Sequence, residues 1–64
     1  MPTTKKQPPT ARQVQEHRAR AGLSAALCAS LIYVSRRMWH KYESGEAKMH
    51  PAFIELFKLK TGQF

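Results

Sequence analysis

The sequence predicts an all-α fold, a compact bundle of about four short helices, and three observations carry that expectation. Thr10, Ser24 and Ser35 each stand directly before a helix-forming run, where a side-chain oxygen accepts from the unpaired amides of the first turn, and Pro51 stands where a fourth run begins. Gly22, Gly45 and Gly62 follow three of the runs, at the place where a left-handed residue closes a helix at little cost. Apolar residues inside the runs recur at helical spacing.

Residues 1–9, MPTTKKQPP, hold three prolines, two lysines and no large apolar side chain beyond the initiator Met. They form a flexible basic tail, and residues 10–64 form the folded domain. Two readings of the tail stand open: a solvated end, or a basic arm that adds phosphate or minor-groove contacts through Lys5 and Lys6. Thr10-Ala11-Arg12-Gln13 has the spacing of a capping box, so the first helix runs from Ala11 to about Ala21. Its inward positions are Val14, Ala21 and one of His17 or Arg18, too thin a stripe to stand alone, so packing on the other helices must hold it.

The second helix follows the Ser24 cap. Leu27, Cys28, Leu31 and Ile32 make its apolar stripe, and Ala25, Ala26, Ala29 and Ser30 make a face of small residues suited to close approach. Val34 is the apolar plug of the interhelical turn. The third helix runs from Arg36 to Ser44. At roughly 100° per residue, Arg36, Arg37, His40, Lys41 and Ser44 share an arc of roughly 140°, and Met38, Trp39 and Tyr42 occupy the opposite arc. One face is cationic and the other is core. A rigid rod with guanidinium and ammonium donors on one side suits guanine edges and phosphates in a DNA major groove. The competing role for Trp39 is stacking on an unpaired base.

Glu46 to Met49 reads as a loop, and the last helix runs from Pro51 to about Lys60, stopping near Thr61-Gly62. Ala52, Phe53, Ile54, Leu56, Phe57 and Leu59 make it apolar almost all round, more than one core-facing stripe requires. Phe53, Ile54, Leu56 and Phe57 are therefore candidates for an interface with a second copy. Wrapping by the other three helices and Phe64 is the other reading. Phe53, Leu56 and Lys60 lie on one side, Ile54, Phe57 and Thr61 on another, and the pattern leaves open which set faces the partner.

The chain has 64 residues, enough for one domain with a thin core. It is 42% hydrophobic, too rich for a disordered segment, and its net charge of +7 points to a polyanionic partner. Cys28 is the single cysteine and falls on an apolar stripe, so it reads as a small buried hydrophobe in a reducing compartment. No run approaches the ~18 apolar residues of a membrane span, and the N-terminus lacks the apolar segment of a signal peptide; a soluble, cytoplasmic protein is expected. His17, His40, His50 and Cys28 sit on separate elements without the paired spacings of a zinc site, so no metal is expected. Glu43 and Glu46 have no nucleophile to activate, and no glycine-rich phosphate loop exists. No enzyme, cofactor or small-molecule substrate is expected.

Gly22-Leu23-Ser24, Ala29, Leu31, Val34-Ser35 and Tyr42-Glu43-Ser44-Gly45 resemble the helix-turn-helix of the lambdoid-phage repressor and Cro-like family, over about Val14 to Leu59. The resemblance implies that the third helix reads DNA through Arg36, Arg37 and Lys41. At the edges of that surface Tyr33, His40, Ser44 and Lys48 are candidates for backbone contacts, as are Ser24 and Ala25 at the start of the second helix, with Lys5 and Lys6 joining if the tail is an arm. Arg18 would pair with Glu43, unless Arg18 is simply solvated. Two departures stand out: Ala25 replaces the Gln of many relatives, which leaves only the amides at the start of the second helix to meet a phosphate, and Tyr33 replaces the usual Gly of the turn, so either the turn is built differently or a phosphate contact of Tyr33 offsets a left-handed strain of roughly 1–2 kcal/mol. The chain also ends where many relatives carry a further helix. Met49-His50-Pro51 before an apolar final helix looks similar to anti-CRISPR-associated autorepressors of phage. The family implies a repressor that binds an inverted repeat as a homodimer. The alternative is a protein-interaction module, such as an antitoxin-like partner of another small protein. A membrane-active helix fits poorly, because the caps and stops cut the chain into short helices.

Overall fold

The computed structural model describes residues 7–63, so Lys5, Lys6 and Phe64 lie outside the described residues. Four helices follow in order: α1 Ala11–Ala21, α2 Ala25–Leu31, α3 Arg36–Ser44 and α4 Pro51–Thr61. Their starts are set by the residues expected to cap them. Thr10 Oγ1 accepts from Gln13 N at 3.1 Å while Thr10 N donates to Gln13 Oε1 at 2.9 Å, the reciprocal pair of a capping box. Ser24 Oγ accepts from Leu27 N at 3.3 Å and Ser35 Oγ from Met38 N at 3.1 Å. The fourth cap was hidden in the sequence. His50 precedes Pro51, and its Nδ1 accepts from Ala52 N at 3.0 Å.

The residue before each of the last three caps turns inward. Leu23 and Val34 pack against the core and Met49 is fully buried in it. Each has its counterpart four residues inside the following helix, at Cys28, Trp39 and Ile54, and all three of those are core residues. This is the spacing of a hydrophobic staple, which fixes the angle at which the chain enters a helix. Met49, expected to be plain loop, is therefore structural.

The core is Val14 from α1, Cys28, Ala29 and Ile32 from α2 and the turn after it, Trp39 and Tyr42 from α3, Met49, and Ile54 and Phe57 from α4. Trp39 and Phe57 meet at its centre, with ring centroids 5.3 Å apart and planes at 42°. Each helix contributes only one to three side chains, so none buries enough surface to persist alone.

Two sequence expectations need correction. The buried residues of α2 and its end are Cys28, Ala29 and Ile32, with Ala25 and Leu31 partly buried against them, whereas Leu27 is 54% exposed. Ala29 belongs inside because α2 and α3 are the most closely packed pair of helices, and a methyl group lets their backbones approach where Leu27 could not fit. Within α4, Ile54 and Phe57 belong to the core, with Phe57 fully buried, so neither can present itself to a second copy. Phe53 and Leu56 are half-buried on its flank and Leu59 is 61% exposed.

Burial pushes the Cys28 thiol above its ordinary pKa, because a thiolate there would lose its hydration. This contribution to stability is whole below the unfolded thiol's pKa and is lost as pH rises through the higher folded value, in alkaline solution. Native protein should react with iodoacetamide only as fast as it opens, and in urea at the rate of a free thiol. Fast labelling of the native state would place Cys28 at the surface.

Candidate nucleic-acid interface

Nine residues make α3, and the buried pair Trp39 and Tyr42 decides which of its sides is outward. Arg36, Arg37, His40 and Ser44 are exposed, and Lys41 is half-buried at the margin of the same face. The ion pairs formed among the described residues are Arg12–Glu16 and Arg18–Glu43. Neither pair involves Arg36, Arg37 or Lys41, and both arginines stand exposed on a helix about two turns long.

Glu43 fixes the orientation of that face. Its carboxylate accepts from Arg18 of α1 and from the indole Nε1 of Trp39, the latter at 2.8 Å, and its backbone carbonyl accepts from Gln15 Nε2 at 2.7 Å. Two residues of α1 and the central aromatic of α3 therefore converge on one residue. The hydrogen bond to Glu43 holds the Arg18 guanidinium protonated above its already high range. Charge-assisted bonds at a half-buried carboxylate are the stronger class, and they lock α3 against rotation about its axis. Gly45 closes the helix at φ 86°, and Ala47 N donates to Lys41 O at 3.2 Å.

Around this face the other candidates fall as follows. Ser24 is exposed and Ala25 half-buried at the start of α2, and Lys48 is exposed on the loop after α3. Ser44 is exposed, but its Oγ donates to Lys41 O at 3.1 Å and accepts from Glu46 N at 3.3 Å, so a phosphate would have to displace the first bond. Gln7, Pro8 and Pro9 border the same groove as Gly45, Ala47 and Lys48, which brings the chain into α1 from the side on which α3 ends.

Tyr33 is the largest departure from expectation. Its backbone is left-handed at φ 63°, as the resemblance demands of that position. The side chain is 79% exposed, and its hydroxyl is engaged by Lys60, whose Nζ stands 2.8 Å from Oη and 4.2 Å from the ring centroid. The Lys60 hydrogen bond lowers the phenol pKa below its ordinary value. A second clip, equally invisible in the sequence, joins α1 to the end of α4. His17 Nδ1 and Gln63 Oε1 lie 2.8 Å apart, and Gln63 Nε2 donates to His17 O at 3.0 Å.

Among the described residues, no group of three or more His, Cys, Asp or Glu is placed to hold a metal ion, and no helix is long and apolar enough to cross a membrane. A short capped helix joined by a tight turn to a second, with a cationic outer face on the second and a buried aromatic pair behind it, defines a helix-turn-helix domain, a DNA-binding class. The chain belongs to the helix-turn-helix domain family, which matches residues 11–57. No curated protein matches it.

Proposed function

We propose that this protein is a sequence-specific regulator of transcription, a repressor that binds an inverted repeat in double-stranded DNA as a homodimer. The observation that carries the reading is the face of α3, where Arg36, Arg37 and Lys41 lie on the outward side and take part in neither ion pair, while Trp39 and Tyr42 anchor the helix from behind. Those three reach base edges. Ser24, Ala25, Tyr33, His40, Ser44, Lys48 and the tail lysines Lys5 and Lys6 contact the backbone around them. The DNA-binding domain comprises residues 10–64, preceded by a basic, Pro-rich tail over residues 1–9.

The narrower identity, an autorepressor associated with a phage anti-CRISPR gene, rests on the Met49-His50-Pro51 resemblance. Footprinting on the DNA flanking the protein's own gene tests it: protection upstream of that gene supports autoregulation, and its absence there removes it. The second reading, a module that binds another small protein, draws on the exposed Leu59 beside half-buried Phe53 and Leu56. Duplex binding that falls steeply with salt favours the first reading over the second.

Arg37→Ala separates base reading from charge. A bidentate Arg–guanine pair gives about 1–3 kcal/mol of discrimination, so affinity for the selected operator should drop by roughly that amount while affinity for random duplex changes far less. Lys48→Ala should instead weaken both duplexes alike and flatten the slope of log affinity against log salt by about 0.9, the share of a single phosphate. Equal losses on operator and random duplex for Arg37→Ala would demote it to a phosphate contact.

A further inference from the structure

The turn between α2 and α3 holds the one described non-glycine residue with a positive φ, Tyr33 at 63°. A side chain with a Cβ enters that region at a disadvantage of roughly tenfold in population. Burial does not make up the difference, because Tyr33 is 79% exposed. The compensation comes from α4. Lys60 Nζ sits 4.2 Å from the Tyr33 ring centroid and donates to Tyr33 Oη at 2.8 Å. It also donates to the carbonyl of Leu31 at 2.8 Å.

That carbonyl belongs to the last residue of α2, a helix whose C-cap is Ile32 and not a glycine. Helix ends leave carbonyls without partners, and α2 satisfies two of them from inside the turn, where Val34 N donates to Ala29 O at 3.0 Å and Tyr33 N to Ser30 O at 3.3 Å. The Leu31 carbonyl is satisfied from a different helix altogether. One ammonium group thus grips the end of α2 and the strained residue of the turn at once, 27 to 29 residues away along the chain. The turn it grips leads directly into the Ser35 cap of α3.

We infer that Lys60 is a positioning residue for the recognition helix, holding Tyr33 left-handed and closing α2 so that α3 leaves the turn at a fixed angle. The inference rests on α3 being the helix that reads DNA. It makes Lys60 and Tyr33 a matched pair, since the strain that Lys60 offsets exists only while position 33 carries a side chain. Glycine adopts this backbone freely and needs no such hold.

The test compares wild type, Lys60→Met, Tyr33→Gly and the double variant. Lys60→Met keeps the aliphatic stem and removes the charge and both hydrogen bonds. The probes are a duplex selected by the wild type from a random library and a scrambled duplex of the same composition. Lys60→Met should lose about tenfold in affinity for the selected duplex and much less for the scrambled one, with the slope against salt unchanged. In the Tyr33→Gly background the same substitution should cost almost nothing. Without DNA, amide exchange at Met38 and Trp39, whose N–H groups are held by Ser35, should quicken about tenfold in Lys60→Met and stay level between Tyr33→Gly and the double variant. A slope reduced by about 0.9 would make Lys60 a phosphate contact and overturn the inference. So would equal losses in the wild-type and Tyr33→Gly backgrounds, or unchanged exchange in Lys60→Met. A wild type that selects no duplex would instead sink the DNA reading itself, while the exchange comparison still decides whether Lys60 holds the turn.

Discussion

Trp39→Ala is expected to leave the chain unfolded at room temperature. The indole is fully buried, it stacks obliquely on Phe57 with centroids 5.3 Å apart, and its Nε1 donates to Glu43 at 2.8 Å. Truncating a buried aromatic costs about 3–5 kcal/mol, and domains of this size have little more stability than that to lose. The substitution also removes one of the two side-chain donors that keep the Glu43 carboxylate solvated by protein, so Arg18 would have to hold it alone. Trp39→Phe gives the intermediate case, with most of the ring restored and the donor missing, and should melt between the two. Circular dichroism at 222 nm through a thermal ramp reads all three. A Trp39→Ala protein that stays helical and has lost only DNA binding would mean that the ring serves the nucleic acid and not the core.

The parts of this molecule that were legible in the sequence are those governed by local chemistry. Thr10, Ser24, Ser35, Pro51 and the three closing glycines act through neighbours a few residues away, so helix boundaries could be read from spacing. The division of α3 into a cationic and an apolar face was readable for the same reason. The rotation of α2 was not. Leu27 and Ala29 differ in which faces the core because of how closely α3 approaches, and the larger residue loses its apparent claim to burial. Met49 does carry a local signal, its place directly before a cap, which Leu23 and Val34 share. Lys60 and Gln63 carried no signal at all. Their partners, Tyr33 with Leu31 and His17, lie far away in the chain, and a lysine in the last turn of a helix already has a sufficient local reason to be there.

The two sides of α4 should respond to the same substitution in opposite ways, and this is where the proposed homodimer is most exposed to refutation. Phe57→Asp places a carboxylate in a fully buried site beside Trp39, and the variant should be unfolded, with no oligomeric state to measure. Leu59→Asp changes a residue that is 61% exposed, so the protomer should keep its helicity and melting temperature. Phe53, Leu56 and Leu59 fall within one arc of roughly 120° at about 100° per residue, which makes them the row available to a symmetry mate. If two copies meet there, a carboxylate at position 59 lies against its own image and the dimer should separate. Each protomer would then hold one half-site, and affinity for the full operator should fall by about 100-fold or more with nothing altered on α3. An intact dimer would set two recognition helices about 34 Å apart, so the half-site centres should be separated by about 10 base pairs or a multiple of it. Sedimentation velocity on wild type and Leu59→Asp at micromolar concentration, with a footprint of each, decides the matter. A wild type that sediments as a monomer and protects a single half-site leaves no role for a second copy, and the exposed row on α4 would then have to be explained by a different protein.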